Sequence, residues 1–296
     1  MNPKNSQNFL NFSIYSGAGN DFVMINNLNK IIPFNQQKEF TVKVCKEQFK
    51  QVDGVIFLEK PLHGENAIRM NYYNRDGSYG AMCGNGARCI AQFAIDEKIL
   101  DVHSFNLEAV DKVYKADILG NSIVKISFPP PVYFELNIDI DRVNGLNTII
   151  ANYMNIGSDH LVILIKDKPN FSVFQSHSLD DINVNLTGSM LRYHPKFQPR
   201  GTNVNFVEIL SSNELRVRTY ERGVERETLA CGTGIISSAL ITAMLNRTNP
   251  PIKVLSQSGE WLEVDFKIDK NEISNLSLQG SAKKIGEGGM DIKRFT

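Results

Sequence analysis

The chain has 296 residues, with 32 Lys and Arg against 32 Asp and Glu, so its formal net charge is zero. That balance argues against a general nucleic-acid binder, which carries a basic surplus. An apolar fraction of 42% with 17 Phe supports a packed core rather than a disordered chain, and the length points to about two domains.

The first residues, Met1-Asn2-Pro3-Lys4-Asn5, hold no apolar stretch, so no secretory signal is expected. Residues 17–20, Gly17-Ala18-Gly19-Asn20, lack the third glycine of a dinucleotide fingerprint, and there is no P-loop. Apolar residues at 40, 42, 44, 45 and 49 predict a helix over 37–50. Strands are predicted over 67–73, 123–128, 161–165, 203–209, 215–220 and 262–268, where Val, Ile and Tyr are frequent or alternate. The most apolar helices are predicted over 87–95 and 235–245. The longest aliphatic run, residues 161–165, is far short of the roughly 18 residues that a membrane helix needs. Cys45, Cys83, Cys89 and Cys231 form no C-x-x-C pair and are too sparse for a disulfide framework. A cytoplasmic α+β protein rich in strands is expected, with no membrane or nucleic-acid partner and no metal. Pro129-Pro130-Pro131 cannot continue a helix or a central strand and divides the chain near its middle. The expected domains are 1–130, completed by 281–296, and 131–280.

The most informative feature is a repeat. Tyr73-Asn74-Arg75-Asp76-Gly77 precedes Cys83-Gly84-Asn85-Gly86 and an apolar helix. Tyr220-Glu221-Arg222-Gly223 precedes Cys231-Gly232-Thr233-Gly234 and another. Asn74 and Arg222 each stand nine residues before their cysteine. Each copy therefore offers a cysteine at the start of a buried helix. The unpaired N–H groups and partial positive charge there favour a thiolate, and the glycines let the backbone approach an anion. Two such termini related by a pseudo-twofold would hold one carboxylate between two thiols. One thiolate then removes an α-proton from one face and the opposite thiol delivers a proton to the other. The developing charge is met by fixed N–H dipoles. The two thiols must not ionise together, because close like charges split their titrations. Cys45 and Cys89 read instead as small buried residues.

At these residues the sequence resembles the diaminopimelate epimerase family of cofactor-independent, two-cysteine amino-acid racemases and epimerases. The matching blocks are Ser16-Gly17-Ala18-Gly19-Asn20-Asp21-Phe22, Asn74-Arg75-Asp76-Gly77-Ser78 and Met82-Cys83-Gly84-Asn85-Gly86-Ala87-Arg88-Cys89. Later come Tyr220-Glu221-Arg222-Gly223 and Glu227-Thr228-Leu229-Ala230-Cys231-Gly232-Thr233-Gly234. The resemblance implies two pseudo-symmetric α/β domains, each a curved, mainly antiparallel sheet wrapped around a central helix. It implies interconversion of LL- and meso-diaminopimelate for lysine and peptidoglycan synthesis, with no cofactor, a small amino-acid substrate and a homodimer. Cys83 would be proton donor and Cys231 acceptor in the LL-to-meso direction. Gly84, Asn85, Gly232 and Thr233 would hold the reacting carboxylate. Asn20, Asn74, Asn203, Glu221 and Arg222 match substrate contacts, with Glu221 suited to the distal ammonium and Arg222 to the distal carboxylate.

Three places depart from the family pattern. Ser158-Asp159-His160 stands where Asn-Pro-His is common, so Ser158 offers a shorter contact and Asp159 adds a carboxylate that either bears on the distal group or faces water. Gly54 stands where some members have Gln. Val224-Glu225-Arg226 lengthens the loop after Arg222 by one residue. A related racemase acting on another amino acid, such as glutamate, is the alternative; it would leave Glu221 without an ammonium. Proline racemases usually carry His after Cys-Gly, where this chain has Asn85 and Thr233, and phenazine-type isomerases lack the two cysteines.

Overall fold

The computed structural model describes residues 9–64, 66–80, 82–141, 148–167, 170, 174, 178–270 and 272–295. The segment read above for a secretory signal lies outside them. The chain divides into two units, one of Met1–Ser127 with Gln279–Thr296, the other of Phe128–Leu278.

The first unit runs β1 (Phe9–Gly17), β2 (Asn20–Asn26), α1 (Phe34–Glu47), β3 (Gly54–Glu59), β4 (Ile68–Asn74), α2 (Gly84–Asp96), β5 (Ser104–Ala109), β6 (Lys112–Gly120) and β7 (Ile123–Ser127). The second runs β8 (Tyr133–Ile140), β9 (Ile149–Asn155), β10 (Asp159–Leu164), α3 (Val184–Arg192), β11 (Asn203–Ser211), β12 (Glu214–Glu221), β13 (Arg226–Thr228), α4 (Gly232–Met244), β14 (Ile252–Leu255) and β15 (Trp261–Asp269). Strand β16 (Glu272–Ser281) carries the chain back to the first unit, where β17 (Lys283–Asp291) pairs antiparallel with β1.

The pairing pattern occurs twice. In the first unit the antiparallel pairs β1/β2, β3/β4 and β5/β6 are joined by the parallel pairs β2/β3 and β4/β5. In the second, β9/β10, β11/β12 and β14/β15 are antiparallel, joined by parallel β10/β11 and β12/β14. Parallel neighbours need a crossover, usually a helix. Those crossovers are α1 and α2 in one unit, α3 and α4 in the other. The repeat seen in two short motifs thus extends to a whole succession of elements.

Helix α2 packs against β1, β2, β3, β4, β6, β7 and β17, and α4 against β9, β10, β11, β12, β14 and β15. Eleven of the thirteen residues of α2 and ten of the thirteen of α4 are buried. A helix buried on nearly all sides is apolar all round rather than along one stripe; here the sheet of its own unit curves about it. The α+β class, with mainly antiparallel curved sheets around central helices, is the observed one. Outside the first sheet, α1 buries Gln37, Phe40, Thr41, Val44 and Cys45, the i, i+3, i+4, i+7, i+8 stripe of an amphipathic helix. It begins three residues before the predicted position, directly after Pro33, whose ring leaves it no N–H to place. No helix among the described residues is long and apolar enough to cross a membrane.

Candidate active site residues in the two units

In the first unit Cys83 is the N-cap of α2. Its backbone is extended (φ −103°, ψ 110°) and its Sγ accepts from the Gly86 N–H at 3.4 Å. The sulfur therefore lies over the first turn, where N–H groups have no partner within the helix. Asn85, in the first turn, is held by a chain of side chains. Buried Arg88 donates from Nη2 to Asn85 Oδ1 (2.9 Å). That turns the amide so that Asn85 Nδ2 donates to Asn20 Oδ1 (2.6 Å), and Asn20 Nδ2 donates to Asp53 Oδ2 (3.2 Å). Arg88 also donates to the carbonyls of Gly84 and Ser281, both at 3.3 Å, so its buried charge is spread over several acceptors. Asn20 itself follows Ala18 and Gly19, both at positive φ (54° and 85°), the two central residues of a tight hairpin turn. The Gly-x-Gly motif is thus turn chemistry that delivers Asn20. Asn74 ends β4, accepts the Tyr72 hydroxyl at 2.7 Å and donates to Ser78 Oγ at 2.9 Å. The structure therefore brings Asn20 and Asn85 into contact, next to Gly84 and Cys83, and sets Asn74 in a turn of its own.

In the second unit Cys231 caps α4 in the same extended conformation (φ −115°, ψ 108°). Its Sγ lies 3.6 Å from Thr233 Oγ1. Thr233 Oγ1 is 3.2 Å from Ser158 Oγ and 2.9 Å from His160 Nε2, and Ser158 Oγ is also 2.9 Å from Nε2. The proton positions follow from the next shell. Asn205 Nδ2 donates to the Leu161 carbonyl (3.0 Å), so its contact with His160 Nδ1 (3.2 Å) makes that ring nitrogen an acceptor. Nε2 then carries the hydrogen and gives it to the two hydroxyls. Burial, helped by the Arg222 charge, pushes the His160 pKa down to about 3, so the ring is neutral at physiological pH. With its oxygen accepting from His160 and Ser158, Thr233 has its own hydrogen left for Cys231 Sγ. This fixed chain of donors ends at a thiol.

The remaining candidates surround β10 and β12. Asn203 is buried; its Oδ1 accepts the Arg222 N–H (2.9 Å) and its Nδ2 donates to the Asp159 carbonyl (2.8 Å). It joins the two strand ends, with one N–H and one lone pair left over among the described residues. Glu221 accepts the Thr228 hydroxyl at 2.8 Å. Arg222 donates from Nη1 to Asp159 Oδ2 at 2.9 Å. Asp159 does not face water: it is buried and also takes the Tyr153 hydroxyl (2.5 Å) and Asn155 Nδ2 (2.8 Å). Burial alone would raise its pKa, but the Tyr153 and Arg222 hydrogen bonds and the Arg200 charge hold it below the ordinary carboxylate range. The lengthened loop after Arg222 is a hairpin turn between β12 and β13, with Gly223 and Glu225 at positive φ (92° and 58°) and the Glu225 N–H bonded to the Glu221 carbonyl (2.8 Å).

Gly54 has a steric reason. It faces Asn74 across β3/β4, and a Cβ there would drive into the Tyr73 carbonyl and come within 2.8 Å of the Tyr72 ring. The sequence reading missed Arg88, His160 and Asn205. Arg88 stands within a matched motif and is the one basic residue of its helix, a usable signal. His160 stands in the stretch compared with Asn-Pro-His, a signal that could have found it; Asn205 sits in a buried strand, where nothing in the spacing marks it.

Residues 12–117 and 152–285 match the family model described as diaminopimelate epimerase. A relative named diaminopimelate epimerase from Aquifex aeolicus is 36% identical over 284 residues, covering 92% of this chain and 94% of the relative. The chain belongs to the diaminopimelate epimerase family. Another relative of that name, from Hydrogenobaculum sp., is 35% identical over 290 residues, covering 95% of this chain and 98% of its own. Among solved structures, a hydroxyproline epimerase from Agrobacterium vitis superposes with a TM-score of 0.71 at 12% identity, covering 96% of this chain and 93% of that one. At that identity the likeness is one of fold. In this chain Cys83 and Cys231 stand at equivalent places in the two copies of the repeat.

Proposed function

We propose that the chain interconverts LL- and meso-2,6-diaminopimelate by two-base proton transfer between Cys83 and Cys231, with no cofactor. The observation that carries the reading is the repeated cap: each unit places a cysteine, in the same extended conformation, at the N-terminus of its buried central helix. In the LL-to-meso direction Cys231 takes the α-proton and Cys83 gives one to the opposite face. Gly84, Asn85, Gly232 and Thr233 hold the reacting carboxylate against helix N–H groups, where negative charge is favoured. Asn20, Asn74, Ser158, Asn203, Glu221 and Arg222 meet the rest of the substrate, Glu221 at the distal ammonium and Arg222 at the distal carboxylate. The neutral His160, donating to Thr233, keeps the Thr233 hydrogen aimed at the Cys231 thiolate. A cytoplasmic homodimer completes the reading.

The test is α-proton exchange in D2O followed by NMR, with reduced protein and no added cofactor. LL-diaminopimelate should lose its α-signal and meso product should appear, while L-glutamate should not exchange. Exchange of L-glutamate at a similar rate would replace the proposal with a broad-specificity racemase.

A further inference from the structure

We propose that Asp159 is a positioning residue that makes this chain demand a carboxylate at the far end of its substrate, by holding Arg222 with one edge open. Every contact of the Arg222 guanidinium runs through Nη1: to Asp159 Oδ2 (2.9 Å), the Gly201 carbonyl (3.2 Å) and the Arg200 carbonyl (3.5 Å). Among the described residues none accepts from Nε or Nη2. Those two N–H groups lie side by side on the remaining edge of the planar group, the fork that binds a carboxylate bidentately. Asp159 is itself held from three directions, by Tyr153, Asn155 and Arg200, the last at 3.5 Å. Asn203 fixes the two backbones to each other. Asp159 is shared by the Arg200 and Arg222 guanidinium groups, so positive charge remains to attract a carboxylate while the fork sets its direction. A ligand without the second carboxylate leaves the fork unpaired, a costly omission in a site built to hydrogen-bond.

The inference rests on the proposed function, and its test separates the two. L-Lysine is diaminopimelate without the second carboxylate, so the ratio of α-proton exchange rates for LL-diaminopimelate and L-lysine reads the fork. The ¹⁵N signals of the Arg222 side chain read the pinning independently of activity. In the wild type, hindered rotation should resolve Nη1 from Nη2, and LL-diaminopimelate should exchange far faster than L-lysine. In Asp159→Asn the two signals should merge, and the ratio should fall at least about tenfold through a higher KM for LL-diaminopimelate. Arg222→Lys should lower the ratio as much, and the double variant no further. Tyr153→Phe, which removes one donor to Asp159, should move both readouts the same way by less, and it stands in if Asp159→Asn does not fold. Resolved signals and an unchanged ratio in Asp159→Asn would overturn the proposal. Wild-type protein with a pinned Arg222 that exchanges neither compound would overturn the function beneath it.

Discussion

Cys83 and Cys231 share a backbone conformation but not a set of neighbours. Cys83 accepts an N–H from its own helix, whereas Cys231 meets a hydroxyl whose hydrogen is directed by a neutral histidine. If their roles differ as proposed, Cys83→Ser and Cys231→Ser should each cut inversion by about a hundred- to ten-thousandfold, the usual range for a lost acid or base. The exchange of LL-diaminopimelate should separate them: Cys83→Ser keeps the acceptor and should retain more α-proton washout than Cys231→Ser. Equal washout in the two variants would remove the assignment of donor and acceptor. His160 supports a second prediction, on stability. Its folded pKa is about 3, against about 6.5 in an unfolded chain. Between those values the unfolded state binds a proton that the folded state does not, so stability falls as pH is lowered through this window. From pH 6.5 to 5 the loss from this group is about 2 kcal/mol. Urea titrations at the two pH values should show it, and His160→Gln, which keeps a donor but does not titrate, should flatten that slope.

At the level of elements, the strands bearing the site were largely legible, because strands such as β4, β11 and β12 are rich in the β-branched and aromatic residues that mark them. Both central helices start three residues earlier than expected, at Gly84 and Gly232 rather than near 87 and 235. Glycine is a poor helix former, so propensity discounts these turns; the extended cap nevertheless begins the helix at once and leaves first-turn N–H groups beside the sulfur. Helix α3 went unread, since only Val184, Gly188 and Leu191 are buried along it, yet its Asn183 cap, accepting the Leu186 N–H at 3.1 Å, was a signal. Asp159 illustrates what no spacing shows: its partner Arg222 is 63 positions away and meets it only through the parallel β10/β11 crossover. Gly54 yields the prediction at this scale. The obstacle to a Cβ is backbone carbonyl, which cannot rotate aside, so Gly54→Ala should cost about 1–3 kcal/mol. Gly64, with nothing within 4 Å of its Cβ, is the control, and Gly64→Ala should leave the urea midpoint within error. Equal midpoints for the two variants would refute the steric account of Gly54.

At the scale of the chain, the first unit is built from segments at both ends of the sequence. Strand β17 runs along β1 from Phe9↔Asp291 to Ser16↔Lys283, and just beyond it Phe295 is almost wholly buried, with its ring 6.1 Å from that of Phe40 on α1. Met290 and Phe295 lie in one cluster with Phe12, Ile25, Val44 and Phe57. Met290 and Phe295 meet the rest of this cluster only from the far end of the sequence. Closing a loop of that length adds little entropy beyond that of a shorter one, because the cost grows only with the logarithm of length, so the last strand can contribute nearly its full burial to stability. Phe295→Ala should therefore destabilise by about 3–5 kcal/mol, as large-to-small core changes of this type do. Ending the chain at Ala282 should do more, since it also strips β17 from β1, removes Met290 and exposes Leu10 and Phe12. The second unit holds its own cluster, from Ile138 and Leu161 to Phe206 and Tyr220, with no residue from the removed segment. Hydrogen exchange should then show β1 to β4 losing protection in the truncated protein while β9 to β12 keep theirs. Uniform loss across both sets of strands would mean that the two units fold as one cooperative body and that the C-terminal strand stabilises the whole chain.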